Sequence, residues 1–183
     1  ENSDLVFVGY GIVAPELGWN DYAGVDMKGK TAVILINDPD FDGQSPALFK
    51  GKAMTYYGRW TYKYEEAMRQ GAAGALIVHE TAPAAYGWDV VRNSNTGPQL
   101  DAESADGNMK RAAIEGWVQL DVARKIFALG GQDFDALHRA ARDKGFKPVA
   151  LNAKASVGVR NAIRRAKSAN FVALLPGTKR PDE

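Results

Sequence analysis

The chain has 183 residues, 45% of them hydrophobic and 25% charged, which is enough to bury a core beneath a solvated surface. It contains no cysteine, so disulfide bridges and thiolate chemistry are excluded. The net charge is +1, and the basic stretch in residues 160–167 has no interleaved aromatic residues, which argues against nucleic acid as a partner. No apolar run is long enough to span a bilayer. The chain opens on Glu-Asn-Ser-Asp, without a basic region or an initiator Met, which indicates a processed or excised fragment.

The first part of the chain predicts two short strands, an anchored loop and a buried strand. Residues 5–8 and 12–14 are apolar and are joined by a Gly-Tyr-Gly bend, which is typical of a bulge and not of a phosphate-binding loop. In the loop that follows, Trp19 and Tyr22 are expected to be buried anchors. Residues 31–36 form an unbroken apolar run, the pattern of a strand covered on both faces.

An acidic turn is predicted directly after that strand. Asp38, Asp40 and Asp42 alternate before a glycine, as at the start of a calcium loop. The twelfth position is Phe49 where such a loop needs a bidentate Glu, and Pro39 stiffens the second position. The favoured interpretation is a solvated turn, and a calcium site at the three aspartates is the alternative.

The stretch from Gly51 to Glu80 is the predicted centre of the fold. It reads as a helix that ends at Gly71, followed by a buried strand at residues 75–78. Together with residues 31–36, it predicts a parallel crossover unit, and therefore an α/β fold. The two faces of the helix are expected to be apolar (Trp60, Tyr64, Ala67, Met68, Gly71) and polar (Lys63, Glu66, Arg69, Gln70).

The second half of the chain predicts shorter elements. Val90 and Val91 are expected to form an edge strand in a long loop. A strand at residues 116–120 leads to two helices, and residues 149–159 and 171–175 read as extended strands. The predicted caps and apolar stripes of the two helices are Asp121 with Val122, Ile126 and Leu129, and Asp133 with Phe134, Leu137 and Ala141.

Few residues suggest chemistry. The two histidines, His79 and His138, lie on different elements, and neither belongs to a zinc-binding helical motif. His79 beside Glu80 allows a small independent hydrolase, although a hydrogen-bonded histidine at the end of a strand is the favoured interpretation. Tyr57, Arg59 and Trp60 have the composition of a recognition surface and are the candidates for facing a substrate. The alternative for Trp60 is a place in the core.

Two long segments resemble the protease-associated (PA) domain inserted in bacterial zinc-dependent aminopeptidases, two-zinc exopeptidases related to aminopeptidase Y and glutamate carboxypeptidase. They are VFVGYGIVAPELGWNDYAGVDMKGKTAVILINDPDF and GKAMTYYGRWTYKYEEAMRQGAAGALIVHETAPAAYGW. The resemblance implies an α/β fold of the PA type, a swivelling β/β/α domain with a central, partly parallel sheet and a few flanking helices. It also implies that the domain holds no catalytic residues and covers or shapes the entrance to the peptidase site.

The end of the chain, NFVALLPGTKRPDE, resembles the segment just before the first zinc-binding strand of the peptidase domain. The expected division is therefore a PA-like domain at residues 1–150, then a linker and the first peptidase strands at residues 151–183. The resemblance implies that this chain has no cofactor, because zinc is expected only in the peptidase domain. The implied partners are that domain and peptide substrates, in a secreted or periplasmic protein. The alternative is a free-standing module that binds peptides or proteins.

Overall fold

A computed structural model describes residues 2–42 and 46–180. The seven strands are Ser3–Phe7 (β1), Val13–Ala14 (β2), Trp19–Asn20 (β3), Thr31–Leu35 (β4), Gly74–His79 (β5), Ile114–Gln119 (β6) and Val149–Ala155 (β7) in the described residues. The six α-helices in those same residues are Pro46–Phe49 (α1), Trp60–Arg69 (α2), Thr81–Ala84 (α3), Trp88–Ser94 (α4), Leu120–Leu129 (α5) and Phe134–Ala140 (α6). Two short 3-10 helices cover Pro15–Leu17 and Tyr56–Gly58. No helix among the described residues has the length and apolar character to cross a membrane.

The central sheet has five strands in the order β6-β5-β4-β1-β7. The first four strands are parallel, and β7 lies antiparallel to β1. The predicted crossover is confirmed, because α2 connects β4 to β5 and Val33 lies beside Leu76 in the parallel pair. Gly71 follows α2 with a φ of 83°, the left-handed conformation in which glycine stops a helix without strain. The α/β class predicted from the sequence is therefore confirmed.

Helices and loops cover both faces of the sheet. On one face, Phe7 of β1 packs edge-on against Phe127 of α5 and Phe146, with ring centroids 5.1 and 5.6 Å apart. On the other face, Ala67 of α2 packs in a second apolar cluster that includes Ile34. Burying strands on both sides explains why they read as continuous apolar runs and not as alternating ones. The predicted loop anchors Trp19 and Tyr22 are also buried.

The faces of α2 differ from those predicted. Lys63 and Glu66, expected on the solvated face, are buried, whereas Trp60, expected on the apolar face, is 48% exposed. Lys63 lies four residues before the buried Ala67 and therefore shares its side of the helix. The amine of Lys63 donates hydrogen bonds to backbone carbonyl oxygens at the edge of the sheet. The hydrophobic pattern of the helix does not predict such bonds.

Several predictions in the second half of the chain differ from the structure. Val90 and Val91 belong to helix α4, where Val91 is buried and Val90 points outward, so they form no edge strand. In α5 the buried residues are Ala123 and Phe127, one turn apart; of the predicted stripe, Ile126 packs partly buried against the core, whereas Val122 and Leu129 are exposed. The cap of α5 is Gln119, without a side-chain bond, and not Asp121. The cap of α6 is confirmed, because the Asp133 carboxylate accepts a 3.0 Å bond from the Ala136 amide.

Strand β7 crosses the boundary expected at residues 150 and 151, because it runs from Val149 to Ala155 as part of the central sheet. Residues 156–180 contain no helix or strand in the structure, so the strand predicted at residues 171–175 is absent and the one predicted at 149–159 ends at Ala155, since these residues have no neighbouring strand to pair with in the described part of the chain. Their large apolar side chains face solvent, including Phe171 at 96% and Leu175 at 94% exposure. The assignment of this segment to a neighbouring peptidase domain stays a prediction.

The two ends of the sheet unit lie side by side. Ser3 at the start of β1 pairs with Ala155 at the end of β7. The Asn2 amide donates a 2.9 Å hydrogen bond to the Ser156 hydroxyl just outside this pair. The chain therefore enters and leaves the folded unit at one point.

Candidate functional site

The carboxyl ends of β1, β4 and β5 meet at one edge of the sheet, which is where open parallel α/β sheets bind ligands. The chain places Tyr10 after β1, Asn37 and Asp38 after β4, and Glu80 after β5. Reacting groups are therefore expected at this edge of the sheet.

A buried lysine ties two of these strand ends together. Lys63 of α2 is fully buried, and its Nζ donates to the carbonyl oxygens of Tyr10 at 2.7 Å and Asn37 at 2.9 Å. Burial lowers the pKa of Lys63 to about 7, against the opposing charges of Asp38 and Asp21. Lys63 thus joins α2 to the ends of β1 and β4.

Asp21 is the buried acid of the same network. Its carboxylate accepts a 3.0 Å bond from the Ile12 amide and a 2.7 Å bond from Trp19 Nε1. Burial raises the pKa of Asp21 to about 7, while these bonds and the charge of Lys63 act in the opposite direction. Asp21 thus ties together the two strands of the β2–β3 hairpin.

The three aspartates of the acidic turn each contact a different part of the chain. Asp38 accepts bonds from the amide and hydroxyl of Thr55, at 2.7 and 3.0 Å. Asp40 accepts bonds from the amides of Phe49 and Gly51, at 2.9 and 3.1 Å. Asp42 forms an ion pair with Arg142, which follows α6. Gly43, the next position of the calcium-like pattern, lies outside the described residues. The prediction of a solvated turn is therefore wrong for Asp38 and Asp40, which are buried because their carboxylates hold residues 49–55, and only Asp42 is exposed.

Replacing Asp38 with Ala is expected to lower the free energy of unfolding by about 1–3 kcal/mol, because the Thr55 amide and hydroxyl lose their acceptor. Urea denaturation measures this change. Asp89→Ala on α4 is the control, and we expect it to stay close to the unsubstituted chain. Equal effects of the two substitutions would contradict the structural role of Asp38.

The histidines form two separate contacts. His79 Nε2 lies 3.0 Å from the carbonyl oxygen of Tyr86, and its ring packs against Trp88 and Trp117. This confirms the interpretation of His79 as a hydrogen-bonded residue at the end of a strand. Glu80 instead contacts His138 of α6, with 3.1 Å between Oε1 and Nε2. The structure therefore brings Glu80 to the other histidine.

The three candidates for a recognition surface lie around the start of α2. Tyr57 is half-buried, and its hydroxyl donates a 2.6 Å bond to Glu16 Oε1. Arg59 is exposed at the N-cap of α2. Trp60 packs edge-on against Tyr64, with centroids 5.8 Å apart. Tyr57 and Trp60 thus contact different parts of the molecule.

Trp60 borders an open groove of about 870 Å³ between α2, α4, β6 and the loop at residues 99–111. Its aromatic lining is Trp60, Tyr64, Tyr86 and Trp117, and its charged lining is Glu65, Asp101, Lys110, Arg111 and Glu115. The Tyr64 hydroxyl donates a 3.0 Å bond to the Gly116 carbonyl oxygen and so fixes α2 to β6 at the base of the groove. Grooves of this size suit a peptide or a small molecule.

Comparisons with protein-family models, with curated proteins and with solved structures find no match for this chain. Within residues 2–42 and 46–180, no three His, Asp or Glu side chains converge as metal ligands would. The sequence analysis missed Lys63 and Asp21 as buried groups and Glu115 and Trp117 as groove residues. The four-residue spacing from Lys63 to Ala67 was the one available signal for the lysine.

Proposed function

We propose that this chain is a non-catalytic protease-associated domain that covers or shapes the entrance to the active site of a secreted or periplasmic zinc aminopeptidase. The sequence motifs support this proposal through their resemblance to that family. The mixed five-stranded sheet with flanking helices agrees with the coarse architecture that the resemblance implies.

The pairing of Ser3 with Ala155 is the structural observation that best supports the proposal of an inserted domain. A domain whose first and last strands are adjacent can be inserted into a loop of a host domain without moving the ends of that loop. Residues 156–180 continue from this point as an exposed, partly apolar segment. A neighbouring peptidase domain would supply the apolar surface that this segment needs.

The polar groups at the carboxyl edge of the sheet also support a structural use of this edge. Lys63, Asp21 and Asp38 all bond to the chain itself, and their bonds hold loops in place. In the proposed division of labour, zinc and the reacting groups belong to the peptidase domain. The present chain supplies a surface beside the cleft, with Tyr57, Arg59 and Trp60 as the residues closest to it.

The test compares the parent aminopeptidase with a variant in which a short Gly-Ser linker replaces residues 3–155. We expect turnover of a small chromogenic aminoacyl substrate to persist, and the preference between short and long peptides to change. The isolated chain with added zinc should show no turnover. Turnover by the isolated chain at the rate of a full-length relative would overturn the proposal, as would unchanged peptide preference in the variant.

The groove beside Trp60 favours a second candidate, a free-standing module that binds peptides or proteins. Sequencing the native gene beyond the codon for Glu183 separates the two functions. A continuing frame with a His-x-Asp zinc motif supports the access domain, and a stop codon supports the free-standing module.

A further inference from the structure

The groove between α2, α4 and β6 presents aromatic rings to solvent. Trp60 is 48% exposed, although its ring packs edge-on against Tyr64. Across the groove, Trp117 of β6 packs against Tyr86, with ring centroids 6.5 Å apart. Electron-rich ring faces of this kind attract guanidinium and ammonium groups.

Carboxylates lie among these rings. Arg111 forms an ion pair with Asp101 at the wall of the groove, and Glu115 on β6 lines the same groove with an exposed side chain. Partial desolvation by the groove raises the pKa of Glu115, Arg111 opposes this effect, and the charges of Asp101 and Glu65 add to it. A cation from outside would relieve the unfavourable environment of this carboxylate.

The position of β6 suits an extended chain. In the described part of the molecule, β6 is the last strand of the sheet and pairs on one side only, with β5. An edge strand can bind an extended peptide through its free backbone groups, while adjacent pockets select side chains. Glu115 and Trp117 lie two residues apart on β6 and so point to the same face, which lines the groove.

The loop at residues 99–111 also pairs with a basic residue outside the groove. Arg165, in the exposed segment after β7, pairs with Glu103 at 3.3 Å, and Glu103 belongs to the loop at residues 99–111. That loop therefore accepts a basic residue from an irregular segment.

We propose that the groove binds a basic side chain, Arg or Lys, of an extended peptide, with the cation between the rings of Trp60 and Trp117 and the carboxylate of Glu115. The inference rests on the proposed function in one respect, since it names the class of peptide that such an access domain selects. The peptide backbone would lie along the free edge of β6.

The test titrates the full chain with a blocked hexapeptide that has one central Arg among Ala and Gly, and follows tryptophan fluorescence and calorimetric heat. The comparison peptide carries citrulline, which is neutral and nearly isosteric with Arg. We expect the Arg peptide to bind about tenfold more tightly than the citrulline peptide. Trp60→Ala and Glu115→Gln should each weaken Arg-peptide binding about tenfold.

Glu16→Gln is the matched control, because Glu16 contacts Tyr57 outside the groove, and it should leave the affinity unchanged. Circular dichroism and thermal unfolding establish that each variant is folded. Equal affinity for the two peptides would overturn the inference, and so would binding of neither peptide by the folded chain. Neither outcome tests the proposed function. That function is tested separately by the peptide-preference experiment on the parent enzyme.

Discussion

Replacing Lys63 with Met is expected to lower the free energy of unfolding by about 3–5 kcal/mol, one of the largest effects available in this chain. The substitution keeps most of the length of the side chain but removes the donor for the carbonyl oxygens of Tyr10 and Asn37. It also leaves the buried carboxyls of Asp21 and Asp38 without the amine that interacts with them. Urea denaturation followed by tryptophan fluorescence measures the loss.

Lys125→Met is the matched control, because Lys125 is also a helical lysine but its side chain is 75% exposed in a pair with Asp121. An exposed pair of this kind contributes little, so the control should stay close to the unsubstituted chain. Similar midpoints for the two variants would show that Lys63 does not hold the ends of β1 and β4 together.

The dependence of stability on pH gives a separate test of Lys63. Burial lowers its pKa to about 7, whereas a lysine in the unfolded chain titrates near pH 10. Between these values the unfolded chain binds more protons, so stability should rise as the pH increases from 7 to 10. The Lys63→Met variant should show a smaller rise over this range. An equal rise in both proteins would contradict a lowered pKa of Lys63.

Replacing Gly130 with Ala is expected to lower the free energy of unfolding by about 3 kcal/mol, at the upper end of the cost of overpacking. Gly130 follows α5, and a Cβ atom there would overlap the carbonyl oxygen of Leu151 in β7. The Cβ atom is fixed by the backbone of residue 130 and the oxygen belongs to the backbone of Leu151, so no side-chain rotation relieves the clash. We expect β7 to loosen first, which hydrogen exchange of residues 149–155 would detect as loss of protection.

Substitutions at two other glycines separate the cost of the clash from the cost of backbone conformation. Gly131 has a φ of 74° and open space around it, so Gly131→Ala reports only the cost of the left-handed backbone, about 1 kcal/mol. Gly158, in the exposed segment, has neither constraint, and Gly158→Ala should change little. The expected order of destabilisation is therefore Gly130, Gly131, Gly158. If Gly130→Ala cost no more than Gly131→Ala, the close approach of α5 to β7 would be wrong.

The centre of the fold could be predicted because its signals are local. The apolar runs that become β4 and β5, and the glycine after α2, each act within a few residues. The faces of the helices depend on distant partners instead. Lys63 bonds to carbonyl oxygens 53 and 26 positions away in sequence, so the sequence of α2 does not reveal the partners that keep it buried. The position of β7 beside β1 is likewise a long-range pairing.

The candidate site was predicted in part for the same reason. The composition of residues 57–60 pointed to Trp60, which does border a groove. The opposite wall comes from β6, where Trp117 was predicted only as part of a strand and Glu115 lay just outside that predicted strand. Asp38 and Asp40 looked like the start of a calcium loop, yet both side chains bond to amides of a segment that follows them. Composition indicated which residue types matter, and only the tertiary structure brought them together.

The adjacency of Ser3 and Ala155 also determines how the fold responds to a pulling force. Tension applied through residues 2 and 156 acts on one end of the antiparallel β1–β7 ladder and loads its hydrogen bonds one after another. Such a ladder unzips at lower force than one sheared along its length. Tension applied at these two residues is therefore expected to peel β7 away first, while the four parallel strands stay assembled.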